Sequence, residues 1–416
     1  MTYDIRELSD EKELTRALEV FCTSLVGLPV PDGEPGILEF VEAGRPLGVY
    51  LPGPNGDLEL VGTAGSYTSR LTVPGGAKVP MAAVTDVGVL PTHTRRGLAS
   101  ALIRRQLQQT AERGEIVATL RASEATIYER FGYGIASATT AVEVQVARAR
   151  LRPTVPVDAV GSGEDADSAA VRFVDPKASW ELLARIYAHG SGVGRIERPQ
   201  VYWNGHQWAA NRTKDPLYVV VHGAPGAEDG YLRYHSDSVG PWFTSSDRAI
   251  VVDDLIAHTP QAYLALLRFL LSVDLVHRIV FGKAPVDHSL EKLLVDERAV
   301  RTTGISDETW LRLIDVQAAL SARTYRGSRA VTIAVIDDLL PANTGRYRVS
   351  ASGVERTDAD PELTVDVAAL ACVYLGGTRW WQLAYGGRAV EHRPGALEDA
   401  EQLFGLDRPP FAGTMF

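Results

Sequence analysis

The stretch LPTHTRRGLAS, Leu90 to Ser100, sets Arg95, Arg96 and Gly97 at the opening of a helix. A helix N-terminus already carries partial positive charge, so two arginines there cost roughly a few tenths of a kcal/mol each. A glycine inside the helix costs up to ~1 kcal/mol more. An anion at that end would offset both. Free backbone N–H groups, the helix dipole and two guanidinium forks would converge on a phosphate, and a residue without a Cβ lets the backbone come close. The alternative is two solvated arginines and an incidental glycine, which spacing alone favours, because short glycine motifs carry little information. A second stretch, SEATIYERFGYG from Ser123 to Gly134, reads as a short helix stopped at Gly132. Its Tyr128 is either a packing residue or a phenol with a proton to give. A third feature is the ending RPPFAGTMF. Termini usually fray and are polar, whereas this one is apolar through Phe411, Met415 and Phe416. It is built to dock, and a docked end delivers an α-carboxylate to a fixed place.

These residues need elements to hold them. MAAVTDVGVLP alternates through Val84, Asp86, Val87 and Val89 and stops at Pro91, which predicts a strand. THTRRGLASALIRRQLQQTAERG predicts a helix with Leu98, Ala101, Leu102, Arg105 and Gln109 on one face and Gly114 past its C-terminus. EIVATLRA predicts a second strand. Strand, turn, helix and strand imply a mixed sheet with flanking helices.

The whole chain has 416 residues, enough for two or three domains of about 100–200 residues. Its formal net charge of −10 argues against general nucleic-acid binding, which needs basic surface, and suits cationic partners. Two distant cysteines, Cys22 and Cys372, give no disulfide framework and read as reduced thiols. His189, His206 and His222 show no metal spacing, so no metal is expected. The N-terminus lacks an apolar signal core. AYLALLRFLLSVDLV is broken by Arg268 and Asp274, too short for the ~20 residues of a membrane span, and reads as a buried helix. A cytoplasmic protein without a membrane span is expected.

Taken together, VGVLPTHTRRGLA and SEATIYERFGYG resemble the two hallmark segments of the GCN5-related N-acetyltransferase superfamily: the coenzyme A pyrophosphate loop, and the helix with its Y-x-x-x-G-F/Y ending beside the thiol. The phrase V-x-V-x-P-T-H-x-R-R-G-L, the length and the terminal phenylalanine narrow this to a resemblance to the Eis (enhanced intracellular survival) acetyltransferases over essentially the whole chain. The resemblance implies an α+β architecture of two acetyltransferase-type domains, the second without its cofactor, and then a sterol-carrier-like domain. Boundaries are expected at 1–150, 151–300 and 301–416, the last domain bringing the C-terminus to the site.

The resemblance also implies acetyl-CoA as co-substrate and a cationic amine as acceptor, among them aminoglycoside amino groups, with a homohexameric assembly. Lysine of proteins is an alternative acceptor, and a lipid-binding or scaffolding protein with a vestigial acetyltransferase domain is an alternative of another class. The cofactor would lie on Arg95, Arg96, Gly97, Leu98, Ala99 and Ser100, along the strand edge Val87, Gly88 and Val89, and against Ser123 and Glu124. Tyr128 would be the general acid for the thiolate, since an ordinary phenol with pKa about 10 is protonated at neutral pH. The C-terminal carboxylate of Phe416 would be the base. Thr94 stands where the superfamily often has Gln or Arg, which weakens one phosphate donor, and Met415 stands where some relatives carry an acidic residue.

Further along, AIVVDDLIAHTPQAYLALLRFLLSVD repeats the strand and helix of the first third without the arginines or the glycine. The run at 150–168 reads as a linker, HGAPGAEDG as a hairpin turn and RPQVYWNGHQW as a packed loop. RAVTIAVIDDLLPANTGRYRVSASG predicts strand, turn and strand, DVAALACVYLGG a buried helix and ALEDAEQLFG a last helix.

Overall fold

In this computed structural model, residues 3–28, 36–154, 171–213, 215–237, 242 and 244–416 are described. The chain forms two compact units: residues 1–137, 192–202 and 307–416 make one, and residues 138–191 and 203–306 the other.

The first unit contains a seven-stranded sheet. Its strands are β1 (Asp4–Glu7), β2 (Leu47–Pro52), β3 (Leu58–Thr72), β4 (Lys78–Val89), β5 (Val117–Leu120) and β6 (Gly134–Ile135), with the strand Trp310–Leu313 inserted between β5 and β6. β3 and β4 form the long central hairpin, turned by Gly75 and Gly76, both at positive φ. Helix α1 (Glu11–Leu25) begins where Asp10 accepts from the Glu13 backbone N–H at 2.9 Å. Helix α2 (Leu98–Glu112) buries Leu98, Leu102, Ile103 and Leu107, each contributing about 1.5–3 kcal/mol. It ends at Arg113, followed by Gly114 at φ 73°, as its sequence predicts.

α2 carries the chain from β4 to β5, which therefore pair in parallel, Met81 opposite Val117 through Ala83 opposite Thr119. All four residues of Trp310–Leu313 are buried, and Arg312 sits fully buried against the Asp337 carboxylate at 2.7 Å. The same unit holds a five-stranded sheet in the order Gly353–Arg356, Gly345–Ser350, Val331–Ile336, Leu363–Asp366 and Ala389–Glu391. The helix Val367–Tyr374, buried at every position, and the helix Ala396–Phe404 fall where the sequence places them.

The second unit has its own seven-stranded sheet, in the order Val300–Asp307, Ala138–Gln145, Arg278–Pro285, Ala249–Ala257, Gly230–Ser236, Leu217–His222 and Val171–Val174. Ala249–Ala257 pairs in parallel with Arg278–Pro285, and the buried helix Pro260–Leu271 joins them. HGAPGAEDG is the turn of the antiparallel pair Leu217–His222 and Gly230–Ser236. One expectation fails: RPQVYWNGHQW is not a loop but enters the helix Gln200–Arg212. Pro199 immediately precedes the helix start, where proline is tolerated. The expected linker lies largely in 155–170, outside the described residues. Among the described residues no helix is long and apolar enough to cross a membrane.

Candidate active site

β4 leads into the cationic turn. Arg95 has φ 62° and Gly97 φ 81°, so two residues of the turn lie in the left-handed region and Gly97 is the N-cap of α2. Both arginines precede the helix, and the glycine lies outside it, where φ > 0 favours a residue without Cβ. No side chain caps this end of α2. The first N–H groups of a 15-residue helix are thus left to solvent or a ligand. Arg95, Arg96 and Gly97 are exposed, and Ala99 and Ser100 are half-buried. Leu98 is buried and offers only its backbone. The Thr94 hydroxyl donates to the Pro91 carbonyl at 3.2 Å, so it is turned back on its own loop. In the second unit the corresponding helix end is closed: Pro260 occupies its first turn, and Thr259 accepts from the Ala262 N–H at 3.1 Å.

The parallel ladder between β4 and β5 stops at Ala83, while β4 runs on to Val89. Val87, Gly88 and Val89 keep their pairing toward β3. Toward β5 their edge has no strand partner among the described residues, which is the geometry an extended ligand arm needs to add to a sheet.

Two residues of β4, Asp86 and Val87, oppose the single Ala64 of β3. This is a β-bulge, and Asp86 adopts φ 53° in it. Its carboxyl is half-buried, and burial raises its pKa to about 6, with the Thr85 hydroxyl opposing the shift.

Past β5, Ser123 and Glu124 are exposed, and Glu124 caps the short helix α3 (Ala125–Tyr128) by accepting from the Thr126 N–H at 3.3 Å. The two glycines of FGYG have separate causes. Gly132 ends the turn at φ 83°, and a Cβ there would lie 2.7 Å from Arg312 Nε. At Gly134 a Cβ would lie 2.1 Å from the carbonyl of Ala368 in the buried helix. Tyr128 is buried, edge-on to Tyr133 at 6.0 Å and tilted against Trp310 at 6.4 Å between ring centroids. Its hydroxyl has no hydrogen-bond partner among the described residues. Burial pushes the phenol above its ordinary value, so it holds its proton at neutral pH.

The tail docks. Glu308, itself buried, accepts from the N–H groups of Ala412 and Gly413 at 3.0 and 2.8 Å and from the Ser137 hydroxyl at 2.7 Å. Arg198 donates to the Gly413 carbonyl at 2.9 Å. Arg121 donates to the Thr414 carbonyl from Nε at 2.9 Å and from a terminal nitrogen at 2.5 Å, and its guanidinium lies 5.3 Å from the centroid of the Phe416 ring. That ring is half-buried and packs edge-on against Tyr67 of β3 at 5.8 Å. Arg121 directly follows β5, so the strand that flanks the open β4 edge also supplies the latch for the tail. Arg121, Glu308, Arg198 and Tyr67 escaped the sequence reading. The buried Glu and Arg carry no local motif, and only the apolar tail hinted that a receptor exists.

An uncapped, glycine-lipped helix end, an open strand edge and a buried phenol fit a phosphate-bearing thioester better than a metal. No group of His, Cys, Asp or Glu among the described residues is placed to hold a metal ion.

Profiles described as "Acetyltransferase (GNAT) domain" match residues 4–136 and 194–313, and one described as "Sterol carrier protein domain" matches 316–413. The chain is 47% identical to Eis1 of Mycobacterium abscessus, whose crystal structure it matches with a TM-score of 0.88 over 99% of this chain and 100% of that one. It is 35% identical over 368 residues to N-acetyltransferase Eis of Mycobacterium tuberculosis, 84% of each chain. It is 35% identical to an uncharacterized N-acetyltransferase of Streptomyces coelicolor over 92% of this chain and 93% of that one. A GCN5-related N-acetyltransferase from Anabaena variabilis, 20% identical, shares the fold with a TM-score of 0.82 over the full length of both chains. The chain is an N-acetyltransferase and belongs to the Eis family of GCN5-related acetyltransferases.

Proposed function

We propose that the protein transfers an acetyl group from acetyl-CoA directly to an amine of an aminoglycoside or a similar polyamine. Acetyl-CoA supplies the acetyl group as an activated thioester. The turn Arg95–Ser100 would bind its phosphates through backbone N–H groups and the two guanidinium forks. The free edge of Val87–Val89 would align the pantetheine arm, with Ser123 and Glu124 at the far side. The carboxylate of Phe416 takes the proton from the acceptor ammonium. The freed nitrogen forms the new C–N bond as the C–S bond breaks, and Tyr128 returns a proton to the departing sulfur. Direct transfer with one acid and one base needs no covalent enzyme intermediate.

The observation that carries this reading is the latched tail. Glu308, Arg121 and Arg198 spend buried hydrogen bonds on the last residues, and Phe416 rests on the sheet that bears the cofactor edge. The half-buried Asp86 and the net charge of −10 support a cationic acceptor. By the same reading the second acetyltransferase domain, with its capped helix, holds no cofactor. A thiol-release assay with acetyl-CoA across aminoglycosides, polyamines and lysine peptides tests it. Turnover with the first two groups is expected. Faster turnover of peptides would move the assignment to protein lysine, and binding of lipid without acetyl-CoA would overturn it.

A further inference from the structure

Tyr3 lies just ahead of β1, where a chain end is usually loose, yet it is tied to the cationic turn. Its phenol O–H donates to the backbone carbonyl of Arg96. The side chain is half-buried and packs on the cluster that contains Val61, Leu98 and Leu102. Leu98 is the first residue of α2, and Val87 and Val89 of the β4 edge pack on the same cluster. Further along, Glu7 accepts from the Gln109 side chain near the other end of α2 at 2.6 Å. The first segment of the chain therefore braces α2 at both ends, while β1 itself is a short edge strand with Asp4, Arg6 and Glu7 exposed.

Where the Tyr3 hydrogen bond falls matters more than its strength. A helix that began earlier would use the Arg96 carbonyl to accept from the Ser100 N–H. Here the first N–H of α2 with a partner among the described residues is that of Ala101, which donates to the Gly97 carbonyl at 3.0 Å. Those of Leu98, Ala99 and Ser100 have none. The Arg96–Gly97 peptide is planar, so its carbonyl and its N–H point in opposite directions. A phenol that holds the carbonyl toward Tyr3 turns the Gly97 N–H away from it. Without that hold the peptide could rotate, because glycine populates many backbone conformations. A Cβ on Gly97 would lie 3.6 Å from the Tyr3 oxygen, an ordinary contact, so the glycine serves its φ of 81° and does not make room for the phenol. Packing on Leu98 needs only the ring, which phenylalanine would supply. The hydroxyl has its use in the turn.

We infer that Tyr3 is a positioning residue for the phosphate-binding turn: it fixes the Arg96–Gly97 peptide so that the N–H groups from Gly97 to Ser100 stay available to one anion. This deepens the proposed binding of acetyl-CoA and rests on it.

Tyr3→Phe keeps the ring and removes only the donor. Calorimetry with coenzyme A and steady-state kinetics compare the wild type, Tyr3→Phe and the double variant Arg95→Gln with Arg96→Gln, and thermal unfolding without ligand verifies the fold. Tyr3→Phe is expected to weaken coenzyme A at least threefold and to raise KM for acetyl-CoA by the same factor. Its kcat at saturating acetyl-CoA and its KM for the amine are expected to stay at wild-type values. A weakening below threefold overturns the role of Tyr3. So does a kcat or an amine KM that moves together with cofactor affinity, since that result assigns the phenol to the fold at large. The double variant separates the two levels: weak binding there keeps the reading of the turn whatever Tyr3→Phe does, and wild-type binding there overturns the turn and the role of Tyr3 together.

Discussion

Tyr128→Phe removes a single oxygen and isolates the proposed acid. The ring's neighbours, Tyr133 at 6.0 Å and Trp310 at 6.4 Å, contact the part of the side chain that remains. The lost hydroxyl has no partner among the described residues, so no donor or acceptor is orphaned. Stability should therefore change by no more than about 0.5 kcal/mol, and calorimetric affinity for acetyl-CoA should hold. Turnover should not. A positioned general acid contributes about 10²–10⁴-fold, which is roughly 2.7–5.4 kcal/mol of barrier. Thiol release at saturating acetyl-CoA and amine should fall by that factor in kcat, with KM for acetyl-CoA little changed. A kcat within threefold of wild type, in a variant that binds the cofactor normally, would show that the thiolate finds its proton elsewhere and would remove Tyr128 from the mechanism.

Other outcomes follow from the same geometry. Arg121→Met loses two hydrogen bonds to Thr414 and the contact with Phe416, worth about 1.5–3 kcal/mol for the charged bonds alone; carboxypeptidase should release Phe416 faster, and kcat should drop at least tenfold. Deleting Phe416 should cut turnover at least a hundredfold while acetyl-CoA still binds, and calorimetry beside thiol release checks both halves. Arg95→Gln combined with Arg96→Gln should raise KM for acetyl-CoA by about tenfold or more and flatten its dependence on salt, with kcat at saturation little affected. Asp86 gives a pH signature. Its folded value of about 6 lies above the ordinary aspartate value of 3.8, so the folded state holds the proton longer and wild-type stability falls as pH rises through that window. Asp86→Asn should lack this loss, and the stability difference should grow by about 1–3 kcal/mol between pH 4 and 7 in denaturant titrations. Light scattering will show whether the chain assembles as the hexamer the family resemblance implies.

Local chemistry made much of this molecule readable. The strand Lys78–Val89 and helix Leu98–Glu112 follow from alternation, helical spacing and the glycine after the helix. The signals that mislead or stay silent have physical causes. In Gln200–Arg212 the aromatics and Gly205 depress helix propensity, and Pro199 looks like a break, so the segment reads as irregular. The bulge at Asp86 moves the apolar phase of its strand from Val84 to Val87, a one-residue slip that the short pattern of alternation alone does not distinguish from irregular spacing. The latch is invisible for another reason. Arg121 with Thr414, and Glu308 with Gly413, are meetings between distant segments that no window of sequence reports. The first glycine of FGYG, Gly132, is legible as a helix stop, while the second, Gly134, answers to a helix that begins at Val367.

The strand Trp310–Leu313, lodged between β5 and β6, has a consequence for biogenesis. When the first 136 residues have left the ribosome, β5 and the short β6 each present a bare edge, and the strand that joins them has not yet been translated. Until Leu313 emerges, the nascent catalytic region stays open to wrong pairing and is a natural client for chaperones. A gene fragment ending near Ile135 should accordingly yield aggregates, and supplying the remainder of the chain in trans is the rescue that would show why.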